Sequence, residues 1–211
     1  MHSKIYSSIK QCNNTLNTDT LEFDFTKVKN IVIRRFLIQK RSQKPKCIET
    51  WEEKLGVDIT KFFFIGNKAT KGISLRFLHF RIMHHIFPTN KILAKMNVKP
   101  SDKCDKCQHV ETLEHLFFHC KELSQFWQHV SADISDILGW KTQIDVVTAL
   151  FGFDPNEMNA RNSIVNQINH LLLIAKSCIS KNKSSQENGN LILQYEYNKI
   201  LRGKYLQNRK P

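Results

Sequence analysis

The sequence predicts a mainly α-helical protein, built as a small irregular helical domain with a helical tail. Gly and Pro number only 7 and 5 among 211 residues, too few for an all-β fold that depends on tight turns. Apolar residues make up 41% of the chain, as in an ordinary globular protein. In several segments they recur every three or four positions, and this spacing is typical of amphipathic helices.

Most of the predicted helices begin or end at a residue with a known capping role. Thr50, followed by Glu53, resembles the start of a short helix that Gly56 ends. Pro88 stops the helix over 73–87, and Gly139 ends a later amphipathic helix. The complete set covers residues 21–41, 51–55, 73–87, 90–96, 112–120, 122–138, 159–180 and 191–206, with an ambiguous segment at 144–150.

The helix over 73–87 has two apolar faces, one of Leu and Ile and a second that carries Phe77 and Phe80. Aromatic residues at helical spacing are more often buried than functional, so we expect both to belong to the core. The alternative is that one of them stacks on an unpaired nucleic-acid base. Three histidines of this segment are expected to be partly exposed: His79, His84 and His85.

Composition divides the chain into three predicted parts. Residues 1–45 form a basic, poorly defined lead-in, and residues 46–152 form the irregular helical domain. Residues 153–211 form a helical C-terminal extension, within which the polar segment 181–190 is a linker.

The charge is strongly positive and unevenly distributed. The formal net charge is +13. Residues 59–101 carry eight Lys or Arg and no acid, whereas residues 102–175 carry ten acids and five bases. A surface that is merely solvated usually mixes both signs. The separation therefore favours a phosphate-rich partner, because each base near a phosphate releases a counterion.

The search for membrane spans and signal peptides restricts the cellular compartment that the sequence predicts. No run of 18 apolar residues occurs, and the first residues lack the apolar core of a signal peptide. We therefore expect an intracellular protein without a membrane partner, in the nucleus or the cytoplasm. In such a compartment the six Cys residues stay reduced and favour metal binding over disulfides.

Four ligand-type residues lie within seventeen positions, with the spacing Cys104-x2-Cys107-x7-His115-x4-Cys120. Thiolate and imidazole are the ligands that zinc prefers, and a closed set of four is typical of a structural Zn²⁺ site. The sequence therefore predicts a Cys-Cys-His-Cys zinc knuckle. His109 and His119 remain alternatives for the third ligand.

Helical geometry opposes one part of this interpretation. The helix capped by Thr112 would carry both His115 and Cys120. Five residues place two side chains about 140° apart on an ideal α-helix. We therefore expect the helix to loosen before Cys120.

The segment 71–130 resembles the zinc-binding region that follows the reverse transcriptase domain in LINE-type (non-LTR) retrotransposon polyproteins. The likeness begins at FRIMHHI (residues 80–86) and continues through Thr89, Leu93, Lys95 and Met96 to the Cys104–Cys107 pair. It ends with TLEHLFFHC (residues 112–120) and with Phe126-Trp127. The resemblance implies a zinc-stabilised domain that holds template RNA or target DNA beside the polymerase.

The resulting functional prediction is a nucleic-acid-binding module that is not an enzyme and takes no small-molecule substrate. RNA or DNA phosphates are the expected partner, and a reverse transcriptase domain is a second expected partner. The polymerase and endonuclease carboxylate sets of the parent polyproteins are not found in the sequence. The candidate phosphate contacts are Lys68, Lys71, Arg76, Arg81, Lys91, Lys95, Lys99, Lys103 and Lys106.

Three other interpretations remain open. The knuckle would staple a protein-interaction module whose acidic helices bind a partner, or the chain would be a non-functional retrotransposon remnant. A hydrolase would need a nucleophile and a base, for which His84 or His85 with Cys47 or Ser74 are the available groups. No nucleophile elbow or oxyanion motif supports that last interpretation.

Overall fold

The computed structural model describes residues 45–183 and 189–207, with side chains described for 45–183 and 191–202. Those residues contain eight α-helices and no β-strand beyond one isolated bridge, which confirms the mainly α prediction. The helix predicted at 21–41 lies outside the described residues, and the division at 152/153 stays a prediction. The α-helices are α1 (Lys46–Leu55), α2 (Ile65–Ala69), α3 (Ile73–Met83), α4 (Asn90–Lys95), α5 (Ser124–Leu138), α6 (Val146–Phe151), α7 (Asn162–Lys181) and α8 (Gly189–Gln207).

Helix α1 begins five residues earlier than the capping pattern predicts. Its N-cap is Pro45, so Thr50 lies inside the helix and donates its hydroxyl to the Lys46 carbonyl at 2.9 Å. The prediction of Thr50 as N-cap was wrong, because the helix has an additional first turn whose Cys47 and Ile48 are buried in the core. Gly56 ends the helix in the left-handed conformation, with φ +65°, as predicted.

Helix α3 ends at Met83, four residues before the predicted end. The indole N–H of Trp51 donates to the Met83 carbonyl at 3.0 Å, so a side chain satisfies a carbonyl that another helical turn would have used. His85 then adopts a left-handed φ of +55° and stacks on Trp51, with ring centroids 3.9 Å apart. Packing against α1 therefore ends this helix before Pro88 does.

Helix α7 is the centre of the core. It contacts α2, α3, α5 and α8, and eleven of the fifteen residues from Val165 to Ile179 are buried. Two buried polar side chains on α7 hold the end of α6. Asn169 pairs through its amide with both the N–H and the carbonyl of Phe153, and Lys176 donates to the Leu150 carbonyl at 2.8 Å.

The residues that helix α3 buries and exposes differ from those that the sequence predicts. His79 is only 3% exposed and its Nε2 lies 3.1 Å from the Phe62 carbonyl oxygen, so the prediction that it is partly exposed was wrong. Phe77 and Phe80 are 56% and 46% exposed, so their assignment to the core was also wrong. The cause is that α2 and α7 pack on the side of α3 that carries Leu78, His79 and Ile82.

None of the helices in the described part of the chain combines the length and the apolarity that crossing a bilayer requires.

Candidate metal centre

The first half of the site is a tight backbone turn between residues 103 and 110. A single antiparallel bridge joins Lys103 to Val110, and the Cys104 N–H donates to the His109 carbonyl at 2.7 Å. The Gln108 N–H donates back to the Cys104 carbonyl at 3.0 Å, and Gln108 has a left-handed φ of +62°. This turn brings the thiols of Cys104 and Cys107 to the same side.

The second half is a short π-helix over His115–His119. Thr112 caps the segment as predicted, because its hydroxyl accepts the His115 N–H at 3.1 Å. The Cys120 N–H donates to the His115 carbonyl at 3.0 Å, five residues back rather than four. A π turn returns the fifth residue to nearly the face of the first. The loosening expected before Cys120 therefore takes the form of a π turn, which aligns Cys120 with His115.

The four side chains converge on one point. The ligand atoms of Cys104, Cys107, His115 and Cys120 all lie within 4.8 Å of one another. His115 Nε2 is 3.1 Å from Cys107 Sγ, and the Cys107 and Cys120 sulfurs are 3.9 Å apart. Two sulfurs at 2.3 Å from a tetrahedral zinc would be about 3.8 Å apart. The observed sulfur separation therefore fits a tetrahedral site.

The pKa values of the three thiols show how strongly the site favours or opposes their ionisation to thiolates. Burial raises the pKa of Cys120 to about 12, and burial also raises the pKa of Cys104. Burial opposes ionisation of Cys107 as well, but hydrogen bonds from the His109 backbone and from neighbouring side chains lower its pKa overall. Backbone hydrogen bonds from Lys106 and Cys107 to Cys104, and from Glu122 to Cys120, favour the thiolates. A divalent cation would supply the remaining charge compensation.

His115 is the imidazole that joins the cluster. It is buried, and burial lowers its pKa, with a further lowering from His109 and His119. A neutral imidazole is the form that coordinates a metal. The two alternatives lie outside the cluster: His109 directs its Nδ1 at the Cys107 carbonyl, 3.1 Å away, and His119 is exposed against the ring of Phe118.

The comparisons with known proteins agree with this geometry. Residues 36–127 match the family model described as zinc-binding in reverse transcriptase, and all four clustered residues lie within the match. This segment is similar to the zinc-binding domains of that family. No curated protein and no solved structure gives a significant match to the chain.

Polar contacts that the sequence did not reveal attach the zinc-binding knuckle to the helices. The buried Glu111 carboxylate accepts the Asn90 N–H at 2.7 Å and pairs with Lys183 at 2.8 Å. The Asn90 side-chain amide donates to the Lys103 carbonyl at 2.7 Å, and Lys183 also donates to the Pro88 carbonyl at 2.6 Å. No sequence signal singles out Glu111 or Asn90, because each contact joins residues distant along the chain.

The nine candidate phosphate contacts of the zinc-binding domain fall into three kinds. Lys99 forms an ion pair with Asp105 at 2.9 Å. Arg76 donates from Nε to the Thr70 carbonyl at 2.7 Å, and the Arg81 guanidinium carbon lies 4.8 Å from the centroid of the Phe87 ring. The remaining bases form no ion pair with another described residue: Lys68, Lys71, Lys91, Lys95, Lys103 and Lys106.

The candidate hydrolytic groups are only partly brought together. Cys47 Sγ lies 3.6 Å from His84 Nδ1, whereas Ser74 is exposed on α3. Cys47 is 6% exposed, and burial raises the pKa of its thiol. A nucleophilic cysteine needs a lowered pKa and access to substrate. The pair therefore has the character of a buried structural contact.

Proposed function

We propose that this chain is a non-catalytic nucleic-acid-binding module of a retrotransposon-type reverse transcriptase, in which Cys104, Cys107, His115 and Cys120 hold one structural Zn²⁺. The observation that carries the proposal is the convergence of the four ligand atoms within 4.8 Å, inside the segment that matches the zinc-binding family. The basic residues attached to that site supply the nucleic-acid contacts.

The donor set supports a structural role for the metal. Three thiolates and one imidazole fill a tetrahedron, so no position is left for the water that a catalytic zinc activates. Soft sulfur ligands also favour Zn²⁺ over Mg²⁺ or Ca²⁺. When bound, the ion would neutralise thiolate charge and hold the turn at 103–110 against the π-helix.

We give the name knuckle face to four lysines on or next to the metal centre: Lys91, Lys95, Lys103 and Lys106. Lys91 and Lys95 lie on α4, while Lys103 and Lys106 flank the first two ligands. The hydrogen bonds from Asn90 to Lys103 and Glu111 attach the start of α4 to the knuckle. A bound metal would therefore hold both pairs of charges in one arrangement, which favours contact with a phosphate backbone.

The decisive experiment measures how binding depends on salt. Fluorescence anisotropy with a labelled 20-base-pair duplex should show an affinity loss of about 100-fold between roughly 50 and 200 mM salt, as expected for about four phosphate contacts. Changing all four knuckle-face lysines to Ala should flatten the salt slope by about three to four units.

Matched controls keep the interpretation specific. Lys141→Ala and Lys199→Ala remove exposed lysines outside the knuckle face and should leave the salt slope within about one unit of the unmodified protein. A protein without measurable affinity for duplex or single strands at low salt would contradict the proposal. In that case the knuckle would serve a protein–protein contact, as the second interpretation of the sequence holds.

A further inference from the structure

Helix α3 has an exposed apolar surface that lies outside the knuckle face. Ile73, Phe77 and Phe80 are exposed at successive turns of the helix, and the ring of His84 continues the row, with its centroid 4.3 Å from that of Phe80. Phe64 and Trp140 are exposed elsewhere, but the rings of Phe77 and Phe80 lie side by side on one helix, with centroids 6.3 Å apart. We name Phe77, Phe80 and His84 the aromatic ledge.

The geometry points to the aromatic ledge as a stacking site for the bases of single-stranded nucleic acid. This inference rests on the proposed function and adds to it a preference for unpaired strands. Ring orientation is the first support: the planes of Phe77 and Phe80 differ by only 13°. A planar base that lies parallel to one ring is therefore nearly parallel to the other.

A groove beside the aromatic ledge gives a base somewhere to enter. Its volume is about 290 Å³, and its walls include Asn67, Arg76, Phe77 and Phe80. That volume lies at the lower limit of small-molecule pockets, which suits a single planar group. The floor includes the buried His79, whose Nδ1 has no hydrogen-bond partner among the described residues.

Charge complementarity is the second support. The Arg81 guanidinium carbon lies 5.7 Å from the Phe77 ring centroid, and Arg76 is held at the groove by the Thr70 carbonyl. Lys68 and Lys71 lie on α2 and on the loop that leads into α3. No acidic residue occurs anywhere between 59 and 101. Proteins that bind single strands without sequence preference combine aromatic platforms with such a basic border.

The test compares single-stranded and duplex affinity for ledge variants of the full chain. A labelled 20-nucleotide single strand and its duplex are titrated at fixed salt. Phe77→Ala and Phe80→Ala should each weaken single-strand binding roughly 5- to 150-fold, the range expected for loss of one stacked base, and should change duplex binding less than about threefold.

Two further variants separate stacking from other roles. Trp140→Ala removes an aromatic residue that is 46% exposed, as Phe80 is, but lies outside the aromatic ledge, and it should leave both affinities unchanged. Phe77→Leu keeps an apolar side chain without a ring, and it should recover only part of the single-strand affinity. Thermal unfolding of each variant checks that the fold is retained.

The outcomes distinguish this inference from the proposed function. Salt-dependent duplex binding with no single-strand loss in Phe77→Ala would overturn the aromatic ledge as a stacking site while the proposed function stands. Absence of all nucleic-acid binding would overturn both. A dimer that Phe77→Ala converts to a monomer, or a loss of stability without a loss of affinity, would instead assign the aromatic ledge to a second copy or to another segment of this chain.

Discussion

The zinc-binding knuckle and the helices packed on α7 are held together in different ways. Between residues 103 and 120 three apolar side chains, Leu113, Leu116 and Phe117, are buried. The rest of this segment is held by the four clustered Cys and His residues, a one-bridge turn and backbone hydrogen bonds to sulfur. Around α7 the structure depends on fully buried apolar residues such as Trp51, Phe151 and Leu172, with only a few polar side chains among them. We therefore expect metal removal to destabilise the knuckle, and substitutions of buried residues to destabilise the helices.

Metal removal should have the largest effect, and this effect should be confined to the zinc-binding knuckle. Structural zinc contributes on the order of 10 kcal/mol in small zinc modules, so chelation should leave residues 103–120 without stable structure. Hydrogen exchange should then accelerate strongly in that segment while the middle of α7 keeps its protection.

Cys120→Ser should reproduce the effect of chelation. The matched control is Cys178→Ser, which changes a buried thiol on α7 and should lower stability without loss of metal. Equal exchange in both regions after chelation would show that the knuckle and the helices unfold as one unit, and it would contradict the distinction drawn here.

Gly152→Ala should have the next largest effect, and it should lower the stability of the helices packed on α7. Gly152 has a left-handed φ of +99°, and an added Cβ would lie 2.6 Å from Asn169 Oδ1, the atom that accepts the Phe153 N–H at 2.7 Å. We expect a loss of about 2–4 kcal/mol in the free energy of unfolding, from strain and from the broken hydrogen bond.

Gly56→Ala is the matched control for Gly152→Ala. Gly56 also has a left-handed φ, +65°, but no atom lies within 4 Å of its added Cβ. It should cost only about 1 kcal/mol. Urea denaturation measures both values, and equal losses would mean that the Asn169 contact does not hold the end of α6.

Lys176 should give the smallest effect, visible as a pH dependence. Burial lowers its pKa to about 7, whereas an unfolded lysine titrates near 10.4. Between these values the unfolded chain binds a proton that the folded chain does not, so this group makes the free energy of unfolding rise with pH. Below the folded pKa both states are protonated and the contribution is constant.

Lys176→Met should remove this component of the pH dependence. Urea denaturation at pH 7 and pH 9 should show a smaller rise in the variant than in the unmodified protein, because ionisation of the Cys104, Cys107 and Cys120 thiols affects both proteins alike. Identical slopes would show that Lys176 is not held uncharged in the core.

Apart from the N-cap assigned to Thr50, local signals in the sequence predicted several features that depend on neighbouring residues. Gly56 and Gly139 ended helices where expected, because a left-handed residue after a helix needs no distant partner. The ligand spacing from Cys104 to Cys120 pointed to residues that the fold brings together, because a short loop and one helical turn suffice to bring them close. Thr112 capped its helix for the same reason.

Features that depend on which faces meet were not predictable in this way. Helix α3 is apolar on more than one side, so periodicity alone did not decide that His79 faces inward and Phe77 outward. The contacts of Asn169 and Lys176 with the end of α6 join residues 16 and 26 positions apart. Their polar types gave no indication of burial, since Lys and Asn are usually exposed.

The central claim is that one Zn²⁺ is held by three sulfurs and one imidazole. Metal analysis of the purified chain together with zinc X-ray absorption tests it most directly. The account predicts one zinc per chain, three sulfurs at about 2.3 Å and one nitrogen at about 2.0–2.1 Å, with the metal lost in Cys104→Ser. Less than about half an equivalent of zinc, or a coordination shell of oxygen and nitrogen alone, would contradict it.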